Sequence, residues 1–235
     1  SDSVQDIIEL LRRQADPKKA AFLPRFFKTG KGEYGEGDIF LGLTVPQVRS
    51  VALKYKAIAL SDIEKLLTSK IHEERLTALL ILVQQFQNGS ENIKKAIYEF
   101  YLHCTKWINN WDLVDLTADK IIGIYLLDKP KTILYTLSPS DNLWERRIAI
   151  MATFAFIKHN QFDDTIRIAK LLLTDTHDLI HKAVGWMLRE IGKRSINIEE
   201  QFLKQYYKQM PRTMLRYAIE KFSEAKRQAY LRGSI

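Results

Sequence analysis

The sequence predicts an all-α protein in which helices follow one another in repeated pairs. Apolar residues recur at helical spacing through most of the 235 residues. The composition has only 10 glycines and is rich in Lys, Leu, Ile and Ala, which favour helix. No segment alternates clearly between apolar and polar residues, as a half-buried strand would. The fold class that follows is helical, with no sheet.

Two helices and a glycine-rich loop are expected at the N-terminus. Residues 4–13 carry apolar side chains at helical spacing. A second short helix starts at Asp16 and runs through Phe22, because Pro24 interrupts it. The segment 30–38 then holds four of the ten glycines and is predicted to be a loop.

The loop at residues 30–38 has two interpretations. It lacks the G-x-x-x-x-G-K-[ST] arrangement and no clear strand precedes it, which excludes a nucleotide phosphate loop. The simpler interpretation is an ordered surface turn. The functional alternative is that its backbone amides bind a phosphate.

From Thr44 onward the helices follow a regular rhythm. Thr44 is expected to cap a helix that has Pro46 in its first turn. Ser61, with Glu64 three residues later, predicts the cap of the next helix. The remaining helices are predicted over residues 73–86, 93–102, 111–127, 131–137, 144–157, 164–173, 179–191, 198–207 and 212–222.

The second helices of successive pairs resemble one another. Each places a basic residue in its first turn and continues with a tightly apolar face; these residues are Arg75, Arg147, Lys182 and Arg212. Arg75 and Arg147 are 72 positions apart, with the Trp111 helix midway, and Lys182 follows Arg147 by 35. A repeat of roughly 35–40 residues built from two helices predicts an α-solenoid of HEAT-like helix pairs. Its stacked second helices would line a concave face, which the basic helix starts would make positive.

We therefore expect a single HEAT-like repeat domain over residues 1–235. It would comprise N-terminal helices and the loop over residues 1–43, helical repeats over 44–225 and a C-terminal tail over 226–235.

The charge balance favours an anionic partner. The chain has 36 Lys and Arg against 28 Asp and Glu, a formal net charge of +8. Nucleic acid is preferred over membrane, since no strongly basic amphipathic stretch stands out and no run of 18 apolar residues occurs. The lone Cys104 excludes an intramolecular disulfide and fits a reducing cytoplasm.

The segment that opens at Trp111 carries the candidate chemistry. Asn109 or Asn110 can cap its helix, and Trp111 and Asp115 are four residues apart, so they share one face. A large aromatic side chain beside a carboxylate is a plausible site. The alternative is that Trp111 anchors the core and Asp115 is only a first-turn acid.

Four blocks in the same order give the sequence a resemblance to a known family. They occupy residues 40–49, 111–115, 141–150 and 182–190, and include Trp-Asp-Leu-Val-Asp, Trp-Glu-Arg-Arg and Gly-Trp-Met-Leu-Arg-Glu. Together they resemble the AlkD-type bacterial alkylpurine DNA glycosylases, which are HEAT-repeat proteins. The glycine-rich stretch at residues 30–38 is a departure from that pattern.

The resemblance implies a role for each matching residue. The family's essential aspartate falls on Asp115, and the aromatic residue one turn before it falls on Trp111. The site arginine falls on Arg147 and the second site tryptophan on Trp186. Further contacts to the DNA backbone are expected from two residues, Lys182 and Arg189.

The implied reaction is hydrolysis of the N-glycosidic bond of cationic N3- or N7-alkylated purines in duplex DNA. Asp115 would stabilise an oxocarbenium-like sugar and position water, while Trp111 and Trp186 line the deoxyribose. Arg147 would bind a neighbouring phosphate. The resemblance implies no metal, no cofactor, no lyase step and no base-flipping pocket. The expected form is a monomer in the bacterial cytoplasm, acting at the nucleoid.

Other interpretations remain at this stage. A non-catalytic protein of the same fold could bind branched or distorted DNA, and helical arrays also serve as protein scaffolds, against which the net charge weighs. His177 and His181 are four apart, but no third ligand is evident, so no metal site is predicted. Release of free base from methylated DNA would decide among these functions.

Overall fold

The computed structural model describes residues 2–235, with side chains from Ser3 onward. Over these residues the regular structure is helical, and β-type pairing is limited to one isolated bridge between Ile39 and Ile71. The chain divides into two compact units, Ser1–Thr117 and Ala118–Ile235. The all-α class predicted from the sequence is confirmed.

The first unit places its helices around a long, buried α5. Its helices are α1 (Asp2–Arg13), α2 (Pro17–Phe26), α3 (Val45–Lys54), α4 (Leu60–Leu67), α5 (His72–Gln87), α6 (Glu91–His103) and α7 (Trp111–Asp115). Both α3 and α4 pack on α5, which is buried over nearly its whole length. A short 3₁₀ turn, Thr105–Trp107, lies in the connection between α6 and α7.

Side-chain caps explain several starts in this unit. Thr44 forms the predicted cap of α3: its Oγ1 accepts from the Gln47 amide, and the Gln47 side chain accepts from the Thr44 amide at 2.8 Å. Asp16 caps α2 by accepting from the Lys18 amide at 3.0 Å. Asn110 caps α7. These short-range signals were legible in the sequence.

Three local predictions in the first unit were wrong. Helix α2 continues through Pro24 and ends at Phe26, two residues later. Helix α4 starts after Ala59, whose side chain cannot cap, so Ser61 lies inside the helix. The helix that opens at Trp111 ends at Asp115 rather than continuing to residue 127.

The regular structure of the second unit is also helical. It begins with a π-helical turn, Asp119–Gly123, that leads into α8 (Ile124–Leu126). There follow α9 (Thr132–Leu137), α10 (Leu143–Ala152), α11 (Phe154–Lys158), α12 (Asp163–Leu171), a 3₁₀ turn at Leu172–Thr174, α13 (Asp178–Arg194), α14 (Ile196–Tyr206), α15 (Arg212–Ala218) and α16 (Glu224–Arg232).

Helix α13 is the centre of the second unit, packing against α10, α14 and α15. A glycine permits its close approach to α15: a Cβ on Gly185 would lie 2.5 Å from the Met214 carbonyl oxygen. The predicted helix at 144–157 is divided at Thr153 into α10 and α11. The stretch 226–235, predicted as a tail, largely belongs to α16, in which Tyr230 is 1% exposed.

The basic residues at the helix starts divide into buried and exposed. Arg75 is 3% exposed and Arg147 is 5% exposed, whereas Arg212 is exposed. The expectation that the basic helix starts make a surface positive is therefore wrong for Arg75 and Arg147, which are buried. Within residues 2–235, no helix is long and apolar enough to cross a bilayer.

Candidate functional site

Helix α7 presents the predicted pair of Trp111 and Asp115. Asn110 is fully buried, and its side-chain oxygen accepts from the Trp111 amide at 2.9 Å. Trp111 and Asp115 are both half-buried, while the residues between them are buried. One face of this five-residue helix therefore anchors it, and the indole and the carboxylate share the other face.

Two phenylalanine rings pack against the indole of Trp111. Phe27 stacks on the indole, with ring centroids 5.1 Å apart, and Phe26 approaches it edge-on at 5.7 Å. Phe27 in turn stacks on Phe40 at 5.0 Å. Such pairs contribute about 0.5–1.5 kcal/mol each beyond area burial, so they restrain the orientation of the indole.

A buried histidine lies behind the same rings. The His72 side chain is 3% exposed, with its ring 5.0 Å from that of Phe27 and 4.6 Å from that of Phe40. Its Nδ1 lies 2.6 Å from Asp38 Oδ2, and its Nε2 lies 2.7 Å from Asp112 Oδ2. Because both ring nitrogens face carboxylate oxygens, the geometry requires the doubly protonated imidazolium.

The electrostatics of this cluster agree with its geometry. Burial alone would lower the pKa of His72, but the Asp112 and Asp38 carboxylates override it and raise the pKa to about 9. Burial would likewise raise the pKa of Asp38, but hydrogen bonds and charges from His72 and Arg75 hold it below its usual value. Arg75 donates from Nη2 to Asp38 Oδ1 at 2.9 Å. We call Asp38, His72, Arg75 and Asp112 the His72 cluster.

The chain that follows Asp38 is fixed by a second buried carboxylate. Glu73 is 2% exposed and accepts three backbone amides, those of Leu41, Gly42 and Leu43, at 2.9, 2.8 and 3.1 Å. Gly42 has φ +90, a conformation that favours glycine. The start of α5 therefore anchors the segment that leads from the glycine-rich loop into α3.

In the second unit, Arg147 lies in α10 and Trp186 in α13. The Arg147 guanidinium is mostly buried and donates from Nη1 to the Leu179 carbonyl oxygen at 2.5 Å, which ties α10 to the first turn of α13. Trp186 is half-buried, with Nε1 donating to Glu190 Oε1 at 3.3 Å and an edge contact to Phe154 at 6.2 Å. Arg147 is thus held on α10 by a contact to α13, and Trp186 is held on α13 itself.

The two further cations are ion-paired within the second unit. Lys182 pairs with Asp178 one turn earlier at 3.1 Å, and Arg189 pairs with Glu220. The exposed pair of Lys182 contributes about 0–1 kcal/mol, so a phosphate can replace its carboxylate at small cost. His177 and His181, considered as metal ligands, both hydrogen-bond to main-chain atoms: His177 Nδ1 accepts from the Leu179 amide at 3.1 Å.

Helical spacing in the sequence relates Trp111 to Asp115, but no sequence pattern relates the members of the His72 cluster to one another. Asp38, His72 and Asp112 lie far apart in the chain, so no local spacing connects them. One signal was available: four consecutive ionisable residues, 72–75, precede the mainly apolar stretch of α5, and all four are less than 5% exposed. Consecutive charges that enter a buried helix require buried partners.

These observations define an all-α protein with a tryptophan–carboxylate pair on a short, firmly anchored helix. The chain belongs to the DNA alkylation repair enzyme family, whose sequence model matches residues 7–222. Family membership supports a role in the repair of alkylated DNA. A comparison with curated protein sequences gives no significant match.

Three solved structures share the fold. One, described as a "predicted DNA alkylation repair enzyme" from Enterococcus faecalis, has a TM-score of 0.70 and 19% identity, covering 89% of this chain and 97% of that one. AlkD2 from Streptococcus mutans has a TM-score of 0.55 and 20% identity, covering 88% and 98%. The protein smu.31 from Streptococcus mutans UA159 has a TM-score of 0.53 and 20% identity, with the same coverage. At these identities the likeness concerns the fold.

Proposed function

We propose that this protein is a monofunctional DNA glycosylase that releases cationic N3- and N7-alkylated purines from duplex DNA. The observation that carries the proposal is the pair of Trp111 and Asp115 on the open face of α7. Membership of the DNA alkylation repair enzyme family gives that pair its chemical context. A half-buried carboxylate beside an indole suits a substrate that becomes positively charged.

The reaction needs little more than electrostatic stabilisation. Alkylation at N3 or N7 already gives the purine a positive charge. When the bond from C1′ to the base nitrogen breaks, its electron pair neutralises the departing base and leaves positive charge on the sugar. Asp115 stabilises that charge and orients a water molecule, whose oxygen bonds to C1′ while its proton leaves to Asp115 or solvent.

The other site residues have supporting roles in this proposal. Trp111 attracts the developing charge, at about 0.5–2 kcal/mol, and the same role is proposed for Trp186. Arg147 contacts a phosphate with the guanidinium that also donates to Leu179, since a guanidinium carries five N–H donors. Lys182 and Arg189 add backbone contacts by exchanging their carboxylate partners for phosphates.

The test of this function is an excision assay on otherwise identical duplexes that differ in one lesion. A site that contacts sugar and phosphate selects by the ease of bond breakage, not by base shape. We therefore expect release of 7-alkylguanine and 3-alkyladenine, including bulky N7 adducts, and no release of neutral hypoxanthine or ethenoadenine. Efficient hypoxanthine release, or exclusion of bulky cationic adducts, would contradict the mechanism.

A second candidate function is binding of branched or distorted DNA without catalysis. It is favoured by the internal contacts of the site residues, since Trp111 packs on Phe26 and Phe27 and Arg147 is mostly buried. The same assay separates the two functions. Failure to release any methylated base, together with tighter binding to a four-way junction than to linear duplex, would favour the second.

A further inference from the structure

We propose that Asp38 and His72 are positioning residues, and that the buried series Asp38–His72–Asp112 sets the orientation of the helix that presents Trp111 and Asp115. The catalytic part of this inference rests on the proposed function. The structural part stands on the contacts of the first unit alone.

Helix α7 cannot position a catalytic group by its own stability. It has five residues, and isolated helices shorter than about 12 residues are marginal in water. Its geometry must therefore come from its buried face and from the contacts that hold its first turn. Two separate connections reach that turn, and both start at Asp38.

The first connection passes through a cap. Asp38 Oδ2 accepts from Asn110 Nδ2 at 3.4 Å, and Asn110 Oδ1 accepts from the Trp111 amide at 2.9 Å. The side chain that caps α7 is thus itself oriented by Asp38. Without that contact, Asn110 would lose one of the interactions that select its rotamer.

The second connection passes through the imidazolium. Asp38 accepts from His72 Nδ1, and His72 Nε2 donates to Asp112 in the first turn of α7. Two charged groups face His72: Asp38 from the loop and Asp112 from α7. Arg75 donates to the other oxygen of Asp38, and Glu73 follows His72 in α5. A neutral imidazole has one N–H donor, so it could bind only one of the two carboxylates.

This arrangement gives the glycine-rich loop a role inside the protein. A Cβ on Gly35 would lie 2.3 Å from the Phe27 carbonyl oxygen and 3.2 Å from Asn110 Nδ2, so the backbone there must carry no side chain. Gly37 has φ +82, which turns the chain just before Asp38. The glycines allow the loop to place the Asp38 carboxylate between His72, Arg75 and Asn110.

The test compares wild type with His72→Gln and Asp38→Asn, using His103→Gln as the matched control. His103 is an exposed histidine on α6 in the same unit. The first readout is the indole N–H resonance of Trp111 in protein labelled with ¹⁵N-tryptophan, assigned with Trp111→Phe. We expect this resonance to shift in both variants, to move in wild type as pH rises to about 9, and to stay unchanged in the control.

The second readout is single-turnover release of 7-methylguanine. Misplacement of a catalytic group by about 1 Å can cost on the order of 100-fold in rate, so we expect the rate constant to fall by about 10- to 100-fold. Substrate affinity should stay near the wild-type value, because the phosphate contacts are unaltered. The Asp38→Asn variant should lose less activity than Asp38→Ala, because the amide oxygen can still accept from His72.

The outcomes separate this inference from the proposed function. If wild type releases no base, the proposed function fails, and the Trp111 resonance still decides the structural part. An unshifted Trp111 resonance in both variants, with wild-type rates where activity exists, overturns the positioning role. If His72→Gln does not fold, the positioning role is tested by the Trp111 resonance in Asp38→Asn and by its pH titration in wild type. A resonance that changes in neither experiment overturns that role.

Discussion

At the scale of the residue, His72 shows how a charge is accommodated in the interior of this protein. A buried imidazolium would be costly alone, and two carboxylates with direct hydrogen bonds compensate for that cost. Removal of one partner leaves an uncompensated buried charge, which is more damaging than loss of the whole group. The cluster is therefore sensitive to any change in its protonation.

We predict that the contribution of His72 to stability is lost at alkaline pH. Its pKa rises from 6.5 to about 9 on folding, so the folded state holds a proton that the unfolded state releases. The contribution is complete below the unfolded value and disappears as pH rises through about 9. One pKa unit corresponds to about 1.4 kcal/mol, which places the effect at a few kcal/mol.

Urea unfolding of wild type and His72→Gln across this pH range measures the effect. The difference in unfolding free energy should shrink steadily as pH rises. A difference that stays constant with pH would show that His72 contributes through packing and not through charge.

At the scale of the element, a buried carboxylic acid lies where α14 packs against α13. Glu199 is 1% exposed, and a Cβ on Gly192 would lie 2.0 Å from its Oε1. Its Oε2 has no hydrogen-bond partner among the described residues. Burial, followed by the charge of Glu200, raises the pKa of Glu199 to about 9, so the group is protonated near neutral pH.

We predict that Glu199→Gln stabilises the protein at neutral and mildly alkaline pH. The raised pKa means that wild type loses stability as pH rises from 4.5 toward about 9, because the unfolded chain ionises and the folded chain does not. Glutamine removes this dependence. The gain should be on the order of 1–3 kcal/mol near pH 8 and close to zero near pH 4. Denaturant unfolding at both pH values checks it, and equal differences at the two would contradict it.

Elements with local signals were predictable, and those determined by distant partners were not. The cap at Thr44 and the apolar spacing over residues 73–86 depend on neighbours in sequence, and both α3 and α5 were placed correctly. Ser61 failed as a cap because packing on α5 starts α4 earlier than the side chain indicates. The His72 cluster joins residues 34 and 40 positions apart, a pairing that helical periodicity cannot reveal.

The part of the candidate site that depends on local spacing could be predicted from the sequence. Trp111 and Asp115 are one helical turn apart, so spacing alone put them on one face. The burial of Arg147 was not foreseeable, because an arginine in a first turn has the same sequence pattern whether it faces solvent or a buried partner. Only the tertiary partner, the Leu179 carbonyl, decides between them.

At the scale of the whole molecule, the net charge of +8 should govern binding to DNA. We predict that affinity for duplex DNA falls steeply with salt, by about 0.9 log units per log unit of salt for each phosphate neutralised. Lys182→Ala should lower this slope by about one phosphate and weaken binding to damaged and undamaged duplex alike. Titrations at several ionic strengths measure the slope. A flat dependence on salt would favour a protein-binding role over a DNA-binding one.

The central claim is that Asp115 performs the chemistry rather than supporting the fold. The most direct measurement is single-turnover release of 7-methylguanine by Asp115→Asn, a nearly isosteric change that removes the charge. We predict a loss of about 100-fold or more in rate, comparable with removal of one electrostatic contact to a transition state. Duplex affinity and melting temperature should be little changed. Release at the wild-type rate would show that Asp115 is not the catalytic group.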